Sequence, residues 1–201
     1  MSMIGVDEAG RGPLIGRVYA AAVCMLCIKD MNGVPTITDS KKMTRNQRQK
    51  AYEWIINNVK DYSIAFAEPS EIDSINILQA TRLAMTRALQ EIKRENLESS
   101  KEIVIDGPRW EDKFDSIKNE YKIDIKSVIG GDSKYFSISA ASILAKEEHD
   151  KHIRELCQQH PELHERYDLL NNMGYGTKKH LEGIKKYGIS QFHRKSFKPC
   201  M

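Results

Sequence analysis

The sequence predicts an α/β fold whose carboxyl-terminal third is mostly helical. Short apolar runs typical of strands alternate with longer amphipathic segments typical of helices. Three of the apolar runs lead into acidic residues that have glycines beside them, and the final third lacks a strand pattern. With 201 residues the chain can bury a core of its own, so we expect residues 1–201 to form a single domain.

The first predicted strand covers Met3 to Val6 and leads into Asp7 and Glu8. Side chains alternate along a strand, so the two acids would face opposite sides if the strand continued. If the strand ends at Glu8, before the glycines that begin at Gly10, both carboxylates can turn toward one site. Open α/β sheets tend to bind ligands at this end of their strands. The alternative interpretation is an acidic turn in solvent.

The later elements also show apolar patterns typical of either strands or helices. A second strand is predicted over 17–28, and a helix begins near Thr44, a residue that suits an N-cap. Small side chains over 137–146 indicate a helix pressed closely against the sheet. The remaining prediction comprises strands over 62–67, 103–105 and 123–129 and long helices over 74–93 and 137–159.

Acids recur after the later strands. Asp106 follows the run 103–105, and Asp132 follows a glycine pair after the last strand. Together with Asp7 and Glu8 these acids would repel one another in a shared cleft, so they would need compensating cations. Oxygen ligands favour Mg²⁺ or Mn²⁺, and two such ions about 4 Å apart can assist the hydrolysis of a phosphodiester. Any one of these acids alone is better explained as a turn cap.

Other segments suit a polyanionic, sugar-bearing partner. The bare main chain of Gly10 and Gly12 permits close approach of a ligand, and Tyr175 lies between two glycines where its ring can stack. Ser40, Lys41 and Lys42 precede a helix and can hold a phosphate, although a capped helix start with solvated lysines explains them equally well. The segment from Lys178 to Lys198 has seven basic residues against the single acid Glu182, which is either a phosphate-binding patch or a solvated surface.

Composition adds little about the partner, because the net charge is only +3 from 31 basic and 28 acidic residues. The four cysteines and the absence of a signal peptide or apolar span predict a cytoplasmic, reducing location. Cys24 and Cys27 are interpreted as core thiols because they lie in a strand-like run. His149 and His152 have helical ligand spacing without a recognisable further ligand, so we interpret them as solvated.

Six segments, in this order, closely resemble ribonuclease HII, the type 2 ribonuclease H family: GVDEAGRGPLIG, DSKKMT, VIDGP, GGDSKYFSISAASILAK, MGYGTKKH and HRKSFKP. The resemblance spans nearly the whole chain. It implies a ribonuclease H-like fold, with a central mixed β-sheet flanked by helices and a helical substrate-binding extension over about 160–201. It also implies hydrolysis of the RNA strand of RNA/DNA hybrids and ribonucleotide removal during replication and repair. Duplex DNA would be incised on the 5′ side of single ribonucleotides, leaving a 3′-hydroxyl and a 5′-phosphate.

The resemblance also implies residue roles. The catalytic acids, which would bind two divalent cations, either Mg²⁺ or Mn²⁺, match Asp7, Glu8, Asp106 and Asp132. The motif that senses the ribose 2′-hydroxyl matches Gly10, Arg11 and Gly12, and the junction-sensing tyrosine matches Tyr175. The expected contacts to backbone phosphates are Ser40, Lys41, Lys42, Lys146, Arg194 and Lys195.

The chain departs from the family pattern at two places. Pro108, which follows Gly107 in the run Gly-Pro-Arg-Trp, is a different residue in many relatives, and Tyr135 and Phe136 are bulkier than expected beside Asp132. These departures leave open a hybrid-binding protein that does not cut, and a nuclease of the same fold acting on ordinary DNA is a further alternative. The arginine at 11 and the absence of an additional amino-terminal domain favour ribonuclease HII over its sister ribonuclease HIII. We expect a monomer that acts on nucleic acid away from membranes, with no sliding-clamp peptide after Met201.

Overall fold

The computed structural model describes residues 3–25, 33–40, 42–59, 61–110 and 113–201. Over this part of the chain one sheet of five strands has the order β3-β2-β1-β4-β5. The strands β1, β2 and β3 pair antiparallel, whereas β1, β4 and β5 run parallel. Both the α/β class and the mixed sheet are therefore confirmed. The strands are β1 (Met3–Ala9), β2 (Val18–Cys24), β3 (Tyr62–Ala67), β4 (Glu102–Asp106) and β5 (Asp124–Val128).

Helices cover both faces of the sheet. One face packs on α2 through Met85 and Leu89, and the other packs on α1 and α5 through Ile55 and Leu144. The predicted helical carboxyl-terminal region is present as α6, α7 and α8, and a separate cluster around Tyr167 joins it to α5. The helices are α1 (Arg45–Asn58), α2 (Pro69–Glu91), α3 (Arg94–Ser99), α4 (Asp115–Tyr121), α5 (Phe136–Gln159), α6 (Pro161–Tyr167), α7 (Leu169–Asn172) and α8 (Lys178–Tyr187).

The close approach of α5 to β1 depends on Gly5. A methyl group built on Gly5 would overlap the main chain of Ser137 and Ile138, so only glycine allows the helix to lie this close. The small residues predicted to permit such packing are buried along α5. This contact fixes the start of α5 against β1.

Several boundaries differ from the prediction. β1 continues through Glu8 to Ala9, and β2 begins at Val18, while the rest of the segment predicted up to residue 28 lies largely outside the described residues. α2 begins earlier than expected because Glu68 and Glu71 form a capping box. The predicted N-cap Thr44 is confirmed, since its hydroxyl accepts a hydrogen bond from the main-chain nitrogen of Gln47.

The thiol of Cys24 is buried, as expected, whereas Cys27 lies outside the described residues. No helix among the described residues combines the length and apolar character that crossing a membrane requires.

Candidate functional site

Three carboxylates meet at one edge of the sheet. Val6 of β1 pairs in parallel with Ile105 of β4, so the residues that follow them, Asp7 and Asp106, lie side by side. Oxygen atoms of Asp7, Asp106 and Asp132 all lie within 4.8 Å of one another. The structure therefore brings together three of the four acids predicted from the sequence.

Asp132 reaches this group through a tight turn after β5. The turn begins at Gly130, whose φ of 64° suits glycine, and continues as a short 3₁₀ helix over 131–133. The main-chain nitrogen of Gly131 donates to Oδ1 of Asp106 at 2.7 Å, and Oγ of Ser139 donates to the carbonyl of Asp132 at 2.6 Å. Asp132 is consequently fixed between β4 and the start of α5.

Trp110, two residues after Pro108, supports the main chain of Asp106. Nε1 of Trp110 donates to the carbonyl of Asp106 at 2.9 Å, and the nitrogen of Trp110 donates to Oγ of Ser127 at 2.6 Å. Near Asp132, Phe136 turns into the core and meets Trp54 edge to face. Neither departure from the family pattern displaces Asp106 or Asp132 from the group of three acids.

The group of acids is electrostatically strained. Burial raises the pKa of Asp7 well above its usual value, and the nearby charges of Glu8 and Asp106 raise it further. A hydrogen bond from Ser142 acts in the opposite direction. Carboxylates that repel one another in a buried place are stabilised by a cation between them.

Glu8 is placed differently from the expectation. An end of β1 at Glu8 would let both acids face one site, but the strand continues to Ala9 and the side chains of Asp7 and Glu8 leave it in different directions. Oε1 of Glu8 accepts a hydrogen bond from Arg11 at 3.1 Å. Glu8 therefore lies at the border between the acids and the adjacent cleft.

A cleft of about 540 Å³ begins at Glu8. Two of its lining residues, Arg48 and Ser142, were missed by the sequence analysis. Arg48 lies on α1 outside the apolar face that the periodicity indicates, and the small residues over 137–146 indicate close packing for Ser142 but no cleft. The cleft is lined by Glu8, Ala9, Gly10, Arg11, Gly12, Ser40, Arg48, Ser142, Lys146 and Tyr175.

Tyr175 forms one wall of this cleft and leaves 42% of its surface exposed. Its main-chain nitrogen bonds the carbonyl of Asn172 at 3.0 Å, and Gly174 precedes it with a φ of 84°. Nζ of Lys146 lies 5.8 Å from the centre of its ring and 2.7 Å from Oδ1 of Asp150. The ring is thus presented toward Gly12 and Lys146 on a tightly bonded turn.

The expected phosphate contacts are distributed unevenly. Ser40 and Lys146 line the cleft, Lys42 is exposed beside Asp39, and Lys195 is exposed on the carboxyl-terminal segment. Lys41 lies outside the described residues. The expectation for Arg194 is wrong, because its side chain is fully buried and its guanidinium donates to main-chain carbonyls.

The interpretation of His149 as solvated is also wrong, whereas His152 is partly exposed. His149 is fully buried, with Nδ1 3.0 Å from Oδ1 of Asp150, and a methyl group on Gly10 would overlap its ring. Burial lowers the pKa of His149, and burial together with the charge of Arg17 lowers the pKa of His152 to about 4. His149 therefore serves as a packing surface beneath the glycine-arginine-glycine loop.

The mixed five-stranded sheet flanked by helices has the ribonuclease H-like fold, and solved structures of ribonucleases H superpose on it. Ribonuclease H2 from Pyrococcus horikoshii OT3 superposes with a TM-score of 0.72 at 27% identity, covering 100% of this chain and 95% of that one. Bst ribonuclease HIII in complex with Mn²⁺ gives a TM-score of 0.74 at 17% identity, covering 100% of this chain and 68% of that one, which supports the fold alone.

Sequence comparison identifies the family within the ribonuclease H-like class. The profile of the ribonuclease HII family matches residues 4–200. A ribonuclease HII from Francisella tularensis subsp. novicida (strain U112) is 41% identical over 202 residues, covering 99% of this chain and 97% of the relative. The chain belongs to the ribonuclease HII family and is accordingly a ribonuclease H, a hydrolase of phosphodiester bonds.

Proposed function

We propose that this protein is a metal-dependent endonuclease that hydrolyses the RNA strand of RNA/DNA hybrids. On duplex DNA it would incise on the 5′ side of a single ribonucleotide and leave a 3′-hydroxyl and a 5′-phosphate. The observation that carries the proposal is the group of Asp7, Asp106 and Asp132, whose oxygens lie within 4.8 Å of one another at the end of a cleft. The family to which the chain belongs supports the same reaction.

The donor set fits divalent cations. Carboxylate oxygens suit Mg²⁺ or Mn²⁺, and the crowding that raises the pKa of Asp7 is the kind of repulsion that bound cations relieve. Asp7, Asp106 and Asp132 would hold the ions, with Glu8 contributing from the border of the cleft. Two bound ions would supply stabilisation of the charge on the attacking and leaving oxygens.

Recognition of ribose belongs to the cleft beside the acids. Gly10, Arg11 and Gly12 offer main-chain groups to the 2′-hydroxyl, the group that distinguishes RNA from DNA, without reading any base. Tyr175 offers an exposed ring on which a sugar or base at the RNA-to-DNA junction can stack. The protein would therefore be selective for the sugar and indifferent to the sequence.

The phosphate backbone would be held around the same cleft. Ser40, Lys42 and Lys146 lie on the side of α1 and α5, and Lys195 lies on the carboxyl-terminal segment. Residues from about 160 to 201 would act as a substrate-binding extension of a single catalytic domain. Because each Lys neutralises one phosphate, binding should weaken steeply as salt is raised.

The test is the cleavage pattern on three duplexes of one sequence: a full RNA/DNA hybrid, a DNA duplex with one ribonucleotide, and an all-deoxy duplex. We expect cuts along the hybrid, one nick 5′ of the single ribonucleotide, no cut in DNA, and no cut without Mg²⁺ or Mn²⁺. Asp106→Asn should abolish cleavage while binding persists. Asp124→Asn is the matched control and should cut normally, because Asp124 is exposed at the start of β5, the end of the strand away from the acids. Binding without cleavage under either metal would contradict the proposal, and cutting of the all-deoxy duplex would identify a DNA nuclease instead.

A further inference from the structure

The side chain of Arg194 is fully buried beneath the loop that carries Gly10, Arg11 and Gly12. Every N–H of its guanidinium is directed at a main-chain carbonyl of that loop. Nε donates to the carbonyl of Gly16 at 2.9 Å, Nη1 to those of Arg11 and Pro13 at 3.1 and 2.7 Å, and Nη2 to those of Gly10 and Arg17 at 2.6 and 3.0 Å. Five donors thus meet five acceptors within one short segment.

The charge of Arg194 has an unusual environment. Among the described residues, no carboxylate lies within 4.0 Å of this guanidinium. Burying a cation is costly unless its hydrogen bonds are all satisfied, so the five carbonyls stabilise it, together with the ring of Phe197, whose centre lies 5.2 Å from Cζ. The loop and the cation therefore constrain each other strongly, because moving any of the five carbonyls would leave a buried charged donor unsatisfied.

The geometry of the peptide bond determines which way the N–H groups of this loop point. In a trans peptide the carbonyl and the following N–H point in opposite directions, and the described residues contain no cis peptide. The carbonyls of Gly10 and Arg11 point at Arg194, so the N–H groups of Arg11 and Gly12 point away from it. Since Gly10, Arg11 and Gly12 line the cleft, these two donors have their positive ends on the side from which a substrate approaches.

A third peptide of the loop also has its N–H group pointing away from Arg194. The carbonyl of Pro13 accepts from Arg194, and the N–H of Leu14, on the opposite side of the same peptide, donates to the carbonyl of Gly174 at 2.8 Å. Gly174 directly precedes Tyr175. The direction away from Arg194 therefore leads to the turn that presents the cleft tyrosine. His149 supports Gly10 from another side, because a methyl group at Gly10 would overlap its ring.

We propose that Arg194 is a positioning residue for ribose selectivity: it holds the N–H groups of Arg11 and Gly12 toward the 2′ oxygen of the ribonucleotide. This inference rests on the proposed function, because it assigns the origin of the sugar preference in the same cleft. Arg194 itself touches no substrate. Lysine at this position keeps the charge but can satisfy at most three carbonyls, so the loop would lose part of its alignment.

The experiment measures affinity for two duplexes that differ by one 2′-hydroxyl, with Ca²⁺ as the divalent ion and the duplexes checked to be intact. Wild type should prefer the duplex with the ribonucleotide. Arg194→Lys should lose about tenfold of that preference, the equivalent of one hydrogen bond, while its affinity for the all-deoxy duplex stays within about twofold. Arg94→Lys, the same change at an exposed site on α3, should behave as wild type.

The outcomes separate this inference from the proposed function. If wild type neither cuts nor prefers the ribonucleotide, the proposed function fails. If wild type does both and Arg194→Lys keeps the full preference, the positioning role is overturned and the function stands. Equal weakening on both duplexes also overturns the role, since a merely structural defect lowers the concentration of folded protein for both.

A measurement on wild type decides the question if Arg194→Lys does not fold. Nuclear magnetic resonance can follow the main-chain amides of Arg11 and Gly12 during titration with each duplex. We expect both amide signals to shift more with the ribonucleotide than with the all-deoxy duplex. Equal shifts with the two duplexes would overturn the inference.

Discussion

Gly12 lies directly against the ring of Tyr175, since a methyl group built on Gly12 would be only 3.1 Å from Cε1 of that ring. The loop proposed to read the ribose and the side chain proposed to stack on the junction are therefore in contact before any substrate arrives. Gly12 has no side chain that could separate them. The two recognition elements should behave as one unit.

The contact predicts coupling between two substitutions. Gly12→Ala should displace the tyrosine ring and lower kcat/KM on a duplex with one ribonucleotide by about tenfold. In a Tyr175→Leu background the added methyl group meets a smaller neighbour, so the second loss should be smaller, with a coupling free energy of about 1 kcal/mol. A double-mutant cycle on kcat/KM measures this quantity. Additive effects would show that the two residues act independently.

Gly10→Ala should be more damaging than Gly12→Ala. The φ of Gly10 is 88°, which side chains other than that of glycine rarely adopt, and the new methyl group would overlap the buried ring of His149. We expect a loss of about 2 kcal/mol in the free energy of unfolding together with loss of cleavage. Urea denaturation and the cleavage assay measure the two effects, and Gly12→Ala, whose position has no positive φ, is the control for stability.

Asp7→Asn should exchange activity for stability. The folded protein raises the pKa of Asp7, so ionised Asp7 opposes folding as the pH rises above its unfolded value, and its cost is largest at neutral pH. Removing that charge should stabilise the metal-free protein at pH 7 by about 1 kcal/mol and lower cleavage at least about a hundredfold. Thermal unfolding in EDTA and the cleavage assay are the measurements.

Glu71→Gln is the control for Asp7→Asn and should change the stability of the protein in the opposite direction. Hydrogen bonds from Arg87, at 2.7 and 3.0 Å, hold the pKa of Glu71 below its usual value. Its contribution to stability is therefore present above the unfolded pKa and is lost as the pH falls through the lower, folded value. At pH 7 the substitution should destabilise the protein by about 0.5 kcal/mol, because both side chains are partly exposed. If Asp7→Asn also destabilised the metal-free protein, the result would contradict the electrostatic strain described for the acids.

Arg48→Met should destabilise the protein strongly. Arg48 lies between Glu147 and Asp150, whose side chains are only 5% and 6% exposed, and its removal leaves their charges without this partner. We expect a loss of about 3 kcal/mol in the free energy of unfolding by urea denaturation. Arg94→Met removes a cation from an exposed pair with Glu98 and should change the free energy of unfolding far less. Similar losses in the two variants would argue against the buried network.

The fold was largely predictable because local patterns determine it. The apolar period of α1 and its N-cap Thr44, and the β-branched run of β4, each gave the correct element. Ends were less certain, since the extension of β1 to Ala9 depends on pairing with Tyr19 of β2, which no local pattern contains. The kink of α2 at Asn76, with a φ of 66°, also had no signal in the apolar spacing.

The site was predictable to the extent that its residues follow strands. Asp106 and Asp132 could be assigned because parallel strands deliver their carboxyl ends to one edge. The role of Arg194 could not be predicted, because a basic residue in a basic segment gives no sign that it will be buried. Two of its partners, Gly10 and Arg17, lie 184 and 177 positions earlier in the chain. Burial of His149 was missed for the same reason: it depends on the path of a distant loop.

Manganese bound to crystals of the wild-type protein, located by anomalous diffraction, tests most directly whether the three acids form a cation site. We expect Mn²⁺ within about 2.2 Å of carboxylate oxygens from Asp7, Asp106 and Asp132. The anomalous signal should disappear in Asp106→Asn and remain in Asp124→Asn. A crystal soaked with Mn²⁺ that shows no ion among these three residues, while the protein still cuts at a ribonucleotide, would contradict the central claim.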